Sequence, residues 1–129
     1  MARTMKLRSA VLLAGIASLA MATEAEAGGD AAKGKTYFTR CAICHSNASG
    51  APNRIGPNLF GVVGRKAGAI PGFFYSPAMK KSGITWTEDK LEAYIAKPQT
   101  IVPGNRMAFA GVADHQQVDD LVAYLETLK

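Results

Sequence analysis

Cys41 and Cys44 stand three residues apart, and His45 follows at once, in the run Cys41-Ala42-Ile43-Cys44-His45. One helical turn brings both thiols to one face. Two thiols so placed can each add to one vinyl group of a porphyrin, and the neighbouring imidazole can swing beneath the iron as its proximal ligand. The pattern therefore predicts covalent attachment of one haem c through Cys41 and Cys44, with His45 on the metal. These are the only two cysteines of the chain. Two rivals exist for the same residues. A thioredoxin-like redox pair belongs beside a βαβ pattern, which is absent. A structural zinc site needs four ligands, and only His115 remains to complete a set.

His45 fills one axial position and leaves the other to be assigned. Beyond Ala27 the methionines are Met79 and Met107, and His115 is the one other histidine. Met79 falls in a short predicted helix, where methionine commonly fills gaps in a core. His115 lies at the exposed start of an amphipathic helix, off its apolar stripe. Met107 follows Pro103-Gly104 in a loop that serves no helical stripe, which suits a ligand placed by backbone. His45/Met107 is the expected pair. A thioether ligand favours ferrous iron and raises the potential. With both axial positions filled by protein, no site is open to a small-molecule substrate. Outer-sphere electron transfer is expected, and enzymatic catalysis is not. A buried haem also brings two propionates, which need hydrogen-bond donors. Trp86, Tyr75, Arg65 and Asn105 are the candidates. Trp86 and Tyr75 read equally well as core aromatics whose polar tips meet backbone.

The elements that must position these residues follow from the pattern. Asp30 can cap a first helix with apolar or small residues at Ala31, Gly34, Tyr37, Phe38 and Cys41, a helix expected to run into the haem motif. A glycine inside a helix costs about 1 kcal/mol against alanine, so Gly34 is either a close approach to another helix or a tolerated defect. Residues 46–72 hold many glycines and prolines and no alternating strand run. A loop that long is uncommon unless functional, and wrapping a flat cofactor gives it a purpose. Ser76-Pro77 predicts an N-cap and first turn, with Gly83 ending that helix. Thr87 caps the next, with Glu88 and Asp89 suiting its dipole and Leu91, Tyr94 and Ile95 on its apolar face; Pro98 stops it, and Pro98 to Val102 add a further turn. The last helix begins near Asp114, with Gln117 in a relative of the capping box and Val118, Leu121, Val122, Leu125 and Leu128 as its stripe. The fold class expected is all-α, short helices with long loops around one covalent haem.

The segment from Met1 to Ala27 stands apart. Arg3, Lys6 and Arg8 precede an apolar run from Ser9 to Ala22, and Ala25-Glu26-Ala27 offers a small-x-small cleavage site. That order is a secretory signal peptide. The rival is an uncleaved anchor, for which the run is short, since a span needs about 20 residues. Cleavage is expected after Ala27, with Ala20-Met21-Ala22 a second candidate. The domain is then residues 28–129, 102 of the chain's 129, with twelve Lys or Arg and eight Asp or Glu. A net charge near +4 steers encounter with an acidic partner but lacks the dense basic patch of a nucleic-acid binder.

From Gly29 onward the chain resembles the class I cytochromes c, near the soluble mitochondrial and alphaproteobacterial forms. The shared stretches are GDAAKGK at 29–35, CAICH at 41–45, GPNLFGVVGRKAG at 56–68, PGFFYS at 71–76, GITWTEDKLEAYI at 83–95, PGNRMAFAG at 103–111 and DLVAYL at 120–125. The resemblance implies that Pro57 offers its carbonyl to the second nitrogen of His45, the contact that fixes the ring. It implies that Trp86, Tyr75 and Arg65 serve the propionate side, that Tyr94 lies near the Met107 sulfur, and that Phe109 covers the haem edge. It also implies that Gly34 and Phe38 cross Leu121 and Tyr124.

Departures from the family pattern are Asn105 for threonine, Met79 for asparagine, Gln99-Thr100 for a lysine pair, and Ala113-Asp114-His115 for a lysine cluster. Arg40, Arg54 and Arg106 remain on the docking face, so docking should be less salt-sensitive than that of a lysine-ringed carrier. The function implied is a monomeric periplasmic one-electron shuttle between respiratory or photosynthetic complexes. Its donor would be a quinol:cytochrome c oxidoreductase. Its acceptor would be a terminal oxidase, a photosynthetic reaction centre or a periplasmic enzyme.

Overall fold

The computed structural model describes residues 28–129; the expected signal peptide and its cleavage site lie outside the described residues. The described residues form five α-helices in order: α1 Ala31–Phe38, α2 Pro77–Lys81, α3 Glu88–Ala96, α4 Pro98–Ile101 and α5 His115–Glu126. A 3-10 turn over Cys41–Ile43 follows α1. Among the described residues the one β feature is an isolated antiparallel bridge between Lys66 and Thr85. No described helix is long and apolar enough to cross a membrane.

The caps expected from sequence do most of the delimiting. Asp30 accepts from the backbone N–H groups of Ala32 at 2.9 Å and Lys33 at 3.2 Å. Ser76 accepts from Met79 at 3.0 Å, with Pro77 in the first turn. Asp114 accepts from Gln116 and Gln117 at 2.9 and 3.3 Å. Two details differ from the expectation. The first helix stops at Phe38 and does not reach the motif, because the Thr39 hydroxyl turns back to the Thr36 carbonyl at 2.9 Å; such local bonds compete with the helical ladder. Thr87 starts α3 by position, but its hydroxyl donates to the Asp89 carboxylate and makes no capping bond to the helix.

The core is built where α1 crosses α5. Phe38 and Tyr124 meet with ring centroids 5.2 Å apart, and Val118, Leu121, Val122 and Leu125 complete the buried stripe of α5. Leu128 lies past the helix end and packs on this core only partly buried. Gly34 is the close approach. A Cβ there would sit 2.5 Å from the Asp120 carbonyl carbon and 2.9 Å from Tyr124 Cβ, so the crossing exists only with glycine. Asp120, buried at 5% exposure inside the apolar stripe, accepts from the Asp30 N–H at 2.7 Å and from Gln116 Nε2 at 3.0 Å. These bonds, with the charge of Lys33, hold its carboxyl below the usual range. α3 packs beside α5, and α4 turns back against α3. The long loop is stitched to this frame by Gly61 N–H to the Leu128 carbonyl at 2.6 Å and Asn47 Nδ2 to the Tyr124 hydroxyl at 2.9 Å.

Candidate functional site

The turn over Cys41–Ile43 sets the two thiols three residues apart, where 3-10 geometry eclipses the side chains. The N–H groups of Cys44 and His45 both point to the Cys41 carbonyl, at 3.0 and 2.9 Å. Both cysteines are free and part-buried. Burial, then the nearness of Cys44, pushes the Cys41 thiol up. His45 Nδ1 lies 2.7 Å from the Pro57 carbonyl oxygen. A carbonyl can only accept, so Nδ1 carries the proton and Nε2 keeps a free lone pair. Burial lowers the His45 pKa, the Pro57 bond opposes that shift, and the charge of Arg65 adds to it. Burial thus dominates and favours a neutral imidazole, the form that ligates metals.

Gly56 forms the wall behind this ring. A Cβ there would stand 2.7 Å from His45 Nδ1 and 2.8 Å from Nε2, nearer still to Cε1. The loop that carries Gly56 and Pro57 is organised by Asn58. Its Nδ2 donates to the carbonyls of Ala48 at 2.8 Å and Ala51 at 3.0 Å, and its Oδ1 accepts from Phe60 N–H at 3.0 Å. Arg65 closes the same loop, donating to the Phe60 carbonyl at 3.2 Å and the Asn58 carbonyl at 3.0 Å. Two of its five N–H donors are thereby spent on backbone, and three remain for an anion.

Met107 comes from the other end of the chain. Its N–H donates to Asn105 Oδ1 at 2.9 Å, and the Phe109 N–H returns to the Met107 carbonyl at 2.8 Å. Asn105 is itself buried, with Nδ2 on the Val102 carbonyl at 3.0 Å. One N–H of Nδ2 and the Oδ1 thus shape the Met107 loop, which leaves the second N–H for the expected propionate. Gln99 grips the loop from below: Nε2 donates to the Asn105 carbonyl and Oε1 accepts from Gly104 N–H, each at 3.2 Å. Val112 N–H to the Ile95 carbonyl at 3.1 Å fixes the far end of the loop on α3.

The aromatic candidates form two pairs. Trp86 and Tyr94 are buried with ring centroids 4.9 Å apart, and burial alone raises the Tyr94 phenol to about 12. Tyr75 packs edge-on against Phe73 at 4.8 Å and accepts from the Ile70 N–H at 3.2 Å. Cys41, Met79, Met107 and Phe109 all pack partly buried against the one core cluster that holds Trp86 and Tyr94. His45 directly precedes the wrapping loop, and Pro57 and Arg65 belong to it. His115 is exposed.

Four contributors escape a reading of the sequence. Gly56 and Asn58 lie in a stretch legible only as loop. Gln99 carries no local signal. Asp120 carries one, a carboxylate set among the stripe residues of α5. Among the described residues no three His, Cys, Asp or Glu side chains converge as a metal-holding group, which disfavours structural zinc. Two free thiols one turn apart, an imidazole with Nε2 open and a thioether on the same core are the donor set that haem c requires.

Residues 31–129 match the family model described as cytochrome c. The chain is 48% identical to the cytochrome c2 of Blastochloris viridis over 115 residues, covering 89% of this chain and 91% of that one. It is 52% identical to the cytochrome c2 of Rhodopila globiformis over 102 residues, covering 78% and 95%. Among solved structures, cytochrome cH from Methylobacterium extorquens superposes with a TM-score of 0.73 at 46% identity, covering 77% of this chain and 99% of that one.

Proposed function

This chain belongs to the cytochrome c family, whose members carry electrons on covalently held haem, and from that premise we propose a periplasmic one-electron shuttle with His45/Met107 axial ligation. Bound haem c supplies the Fe(III)/Fe(II) couple. The protein's part is to hold, orient and shield. Cys41 and Cys44 anchor the porphyrin, and His45 ligates through Nε2 with its ring fixed by Pro57 and backed by Gly56. Met107 is presented by the loop that Asn105 and Gln99 brace. The remaining donors of Arg65, with Trp86 and Tyr75, serve the propionates; Tyr94 and Phe109 border the Met107 side.

One observation carries this reading: His45 Nδ1 is committed to the Pro57 carbonyl at 2.7 Å, which leaves Nε2 as the only ring nitrogen free for iron. A filled sixth position leaves no room for substrate, which supports outer-sphere transfer. The test is the purified red holoprotein. Wild type should show the far-red band of ferric iron–methionine coordination and refuse CO at neutral pH, and Met107→Ala should lose the band and bind CO rapidly. Fast CO binding by the wild type would overturn the ligation.

The basic start, apolar run and Ala25-Glu26-Ala27 support export with cleavage after Ala27. Sequencing the N-terminus of protein from a periplasmic fraction checks this, with Gly28 expected first. A quinol:cytochrome c oxidoreductase as donor, and a terminal oxidase, photosynthetic reaction centre or periplasmic enzyme as acceptor, fit such a carrier.

A further inference from the structure

Three large apolar side chains stand in solvent: Ile43 at 67% exposure, Ile55 at 80% and Phe74 at 76%. Phe74 is partnered, with the Arg106 guanidinium 4.9 Å over its ring. Ile43 and Ile55 are not incidental in their placement. Arg54 Nη1 donates to the Ala42 carbonyl at 2.7 Å, and Gly56 N–H donates to the Cys44 carbonyl at 2.9 Å. Segments 42–44 and 54–56 therefore run side by side, and each isoleucine is the middle residue of its segment. Scattered exposed hydrophobics need no explanation, but two on segments tied together by one backbone and one side-chain bond share a face.

Charge is distributed unevenly along the chain. From Ala31 to Thr87 the chain has eight Lys or Arg and no acid, whereas the rest of 28–129 has four Lys or Arg and all eight acids. Glu88, Glu92, Asp119 and Glu126 gather around one depression between α3 and α5. The segment carrying the haem motif is thus cationic, and the acids are segregated onto other elements. A separation of this kind orients a molecule in a partner's field before contact.

We infer that Ile43 and Ile55 are the apolar anchor of the electron-transfer interface, and that the surface they fit is a redox protein's apolar patch rimmed by carboxylates. The inference rests on the electron-carrier reading above. The cationic segment selects the orientation; the isoleucines, one of them between Cys41 and Cys44, supply the short-range contact. An interface core depleted of charge inside a polar rim has this composition.

The test uses holoprotein carrying Ile55→Ser, Ile43→Ser or both, with purified quinol:cytochrome c oxidoreductase as the probe and ferricyanide as a small-molecule control. The second-order rate with the enzyme should fall about tenfold in the double variant. That fold-loss should be the same at low and high salt, because salt screens charge and not apolar contact. Ferricyanide exchange and the midpoint potential should stay at wild-type values. Wild-type rates with the enzyme for Ile55→Ser and the double variant would overturn the inference. So would sedimentation or phosphatidylglycerol-vesicle pelleting in which the isoleucines govern self-association or lipid binding instead. Failure of the wild type itself to exchange electrons with ferricyanide would instead sink the carrier reading.

Discussion

Gly56→Ala is the substitution on which the geometry of the haem-ligand site bears most directly. Gly56 has no positive φ, so alanine meets no backbone strain, and only the new methyl group matters. At 2.7 Å from His45 Nδ1 it stands about 0.7 Å inside the closest ordinary carbon contact. Neither wall can give easily. The Gly56 N–H is tied to the Cys44 carbonyl at 2.9 Å, its carbonyl to Arg54 N–H at 2.9 Å, and the ring to Pro57 at 2.7 Å. Overpacking of this kind costs about 1–3 kcal/mol, and weakening the Pro57 bond adds a part of about 1 kcal/mol. The reduced freedom of the unfolded chain returns about 0.4–1 kcal/mol. A net loss of roughly 0.5–3.5 kcal/mol lowers the Tm of a domain this size by about 2–25 °C.

The assay is thermal unfolding of the holoprotein alongside its midpoint potential. The potential should rise, because a histidine with a weakened partner is a poorer donor to ferric iron. Gly50→Ala is the control. Gly50 has φ +72° and nothing within 4 Å of a Cβ, so it should cost about 1–2 kcal/mol of strain and leave the potential unchanged. A Gly56→Ala protein that melts within about 2 °C of wild type at an unchanged potential would refute the packing of Gly56 on His45.

Glu126 is raised above its ordinary 4.5 by its contact with Glu88 and by partial burial. Its ionisation therefore costs stability as pH rises from that value. Glu126→Gln should be more stable at pH 7 by about 0.3 kcal/mol, a figure scaled to a solvent-screened pair, and should match wild type near pH 3 in denaturant titrations. Asp120 has the opposite sign. Its carboxyl is depressed below the ordinary 3.8, so its contribution is complete above that value and lost as pH falls through the depressed one. Asp120→Asn should be less stable at neutral pH, with the gap closing under acid, as followed by circular dichroism. Gln99→Ala frees both Gly104 and Asn105 and, with Met107 on the iron as proposed, should speed its displacement by added cyanide, measured by loss of the far-red band; an unchanged rate would remove Gln99 from the support of that loop. Met79→Asn restores a polar group beside the core cluster and should shift the midpoint potential, and no shift would show that Met79 does not tune it.

Most of the helical frame was legible because its signals are local. Asp30, Ser76 and Asp114 announce their helices, Pro98 ends one, and the stripe from Val118 to Leu125 declares the face that is buried. The motif residues stood out because the chemistry allows few other uses for two thiols and a histidine at that spacing. What escaped is non-local. Gly56 matters only because His45, well before it in the chain, folds against it. Asn58 and Gln99 act by bonding to backbone carbonyls and N–H groups, which the side-chain pattern does not display. The loop-shaping bonds of Asn105 escaped for the same reason: its type advertises a donor, but its neighbours in space are Val102 and Met107.

The bond from Asp30 to Asp120 joins residues 90 positions apart, and the crossing it belongs to unites the first helix with the last. Bringing such distant segments together costs about 4 kcal/mol of chain entropy, and a chain is synthesised N-terminus first. Cys41, Cys44 and His45 therefore exist for the whole time it takes to deliver the chain from Ser46 to Glu126, before the helix that completes their core is present. The topology thus orders assembly: the motif residues are delivered first, and the helix that packs against α1 is delivered last.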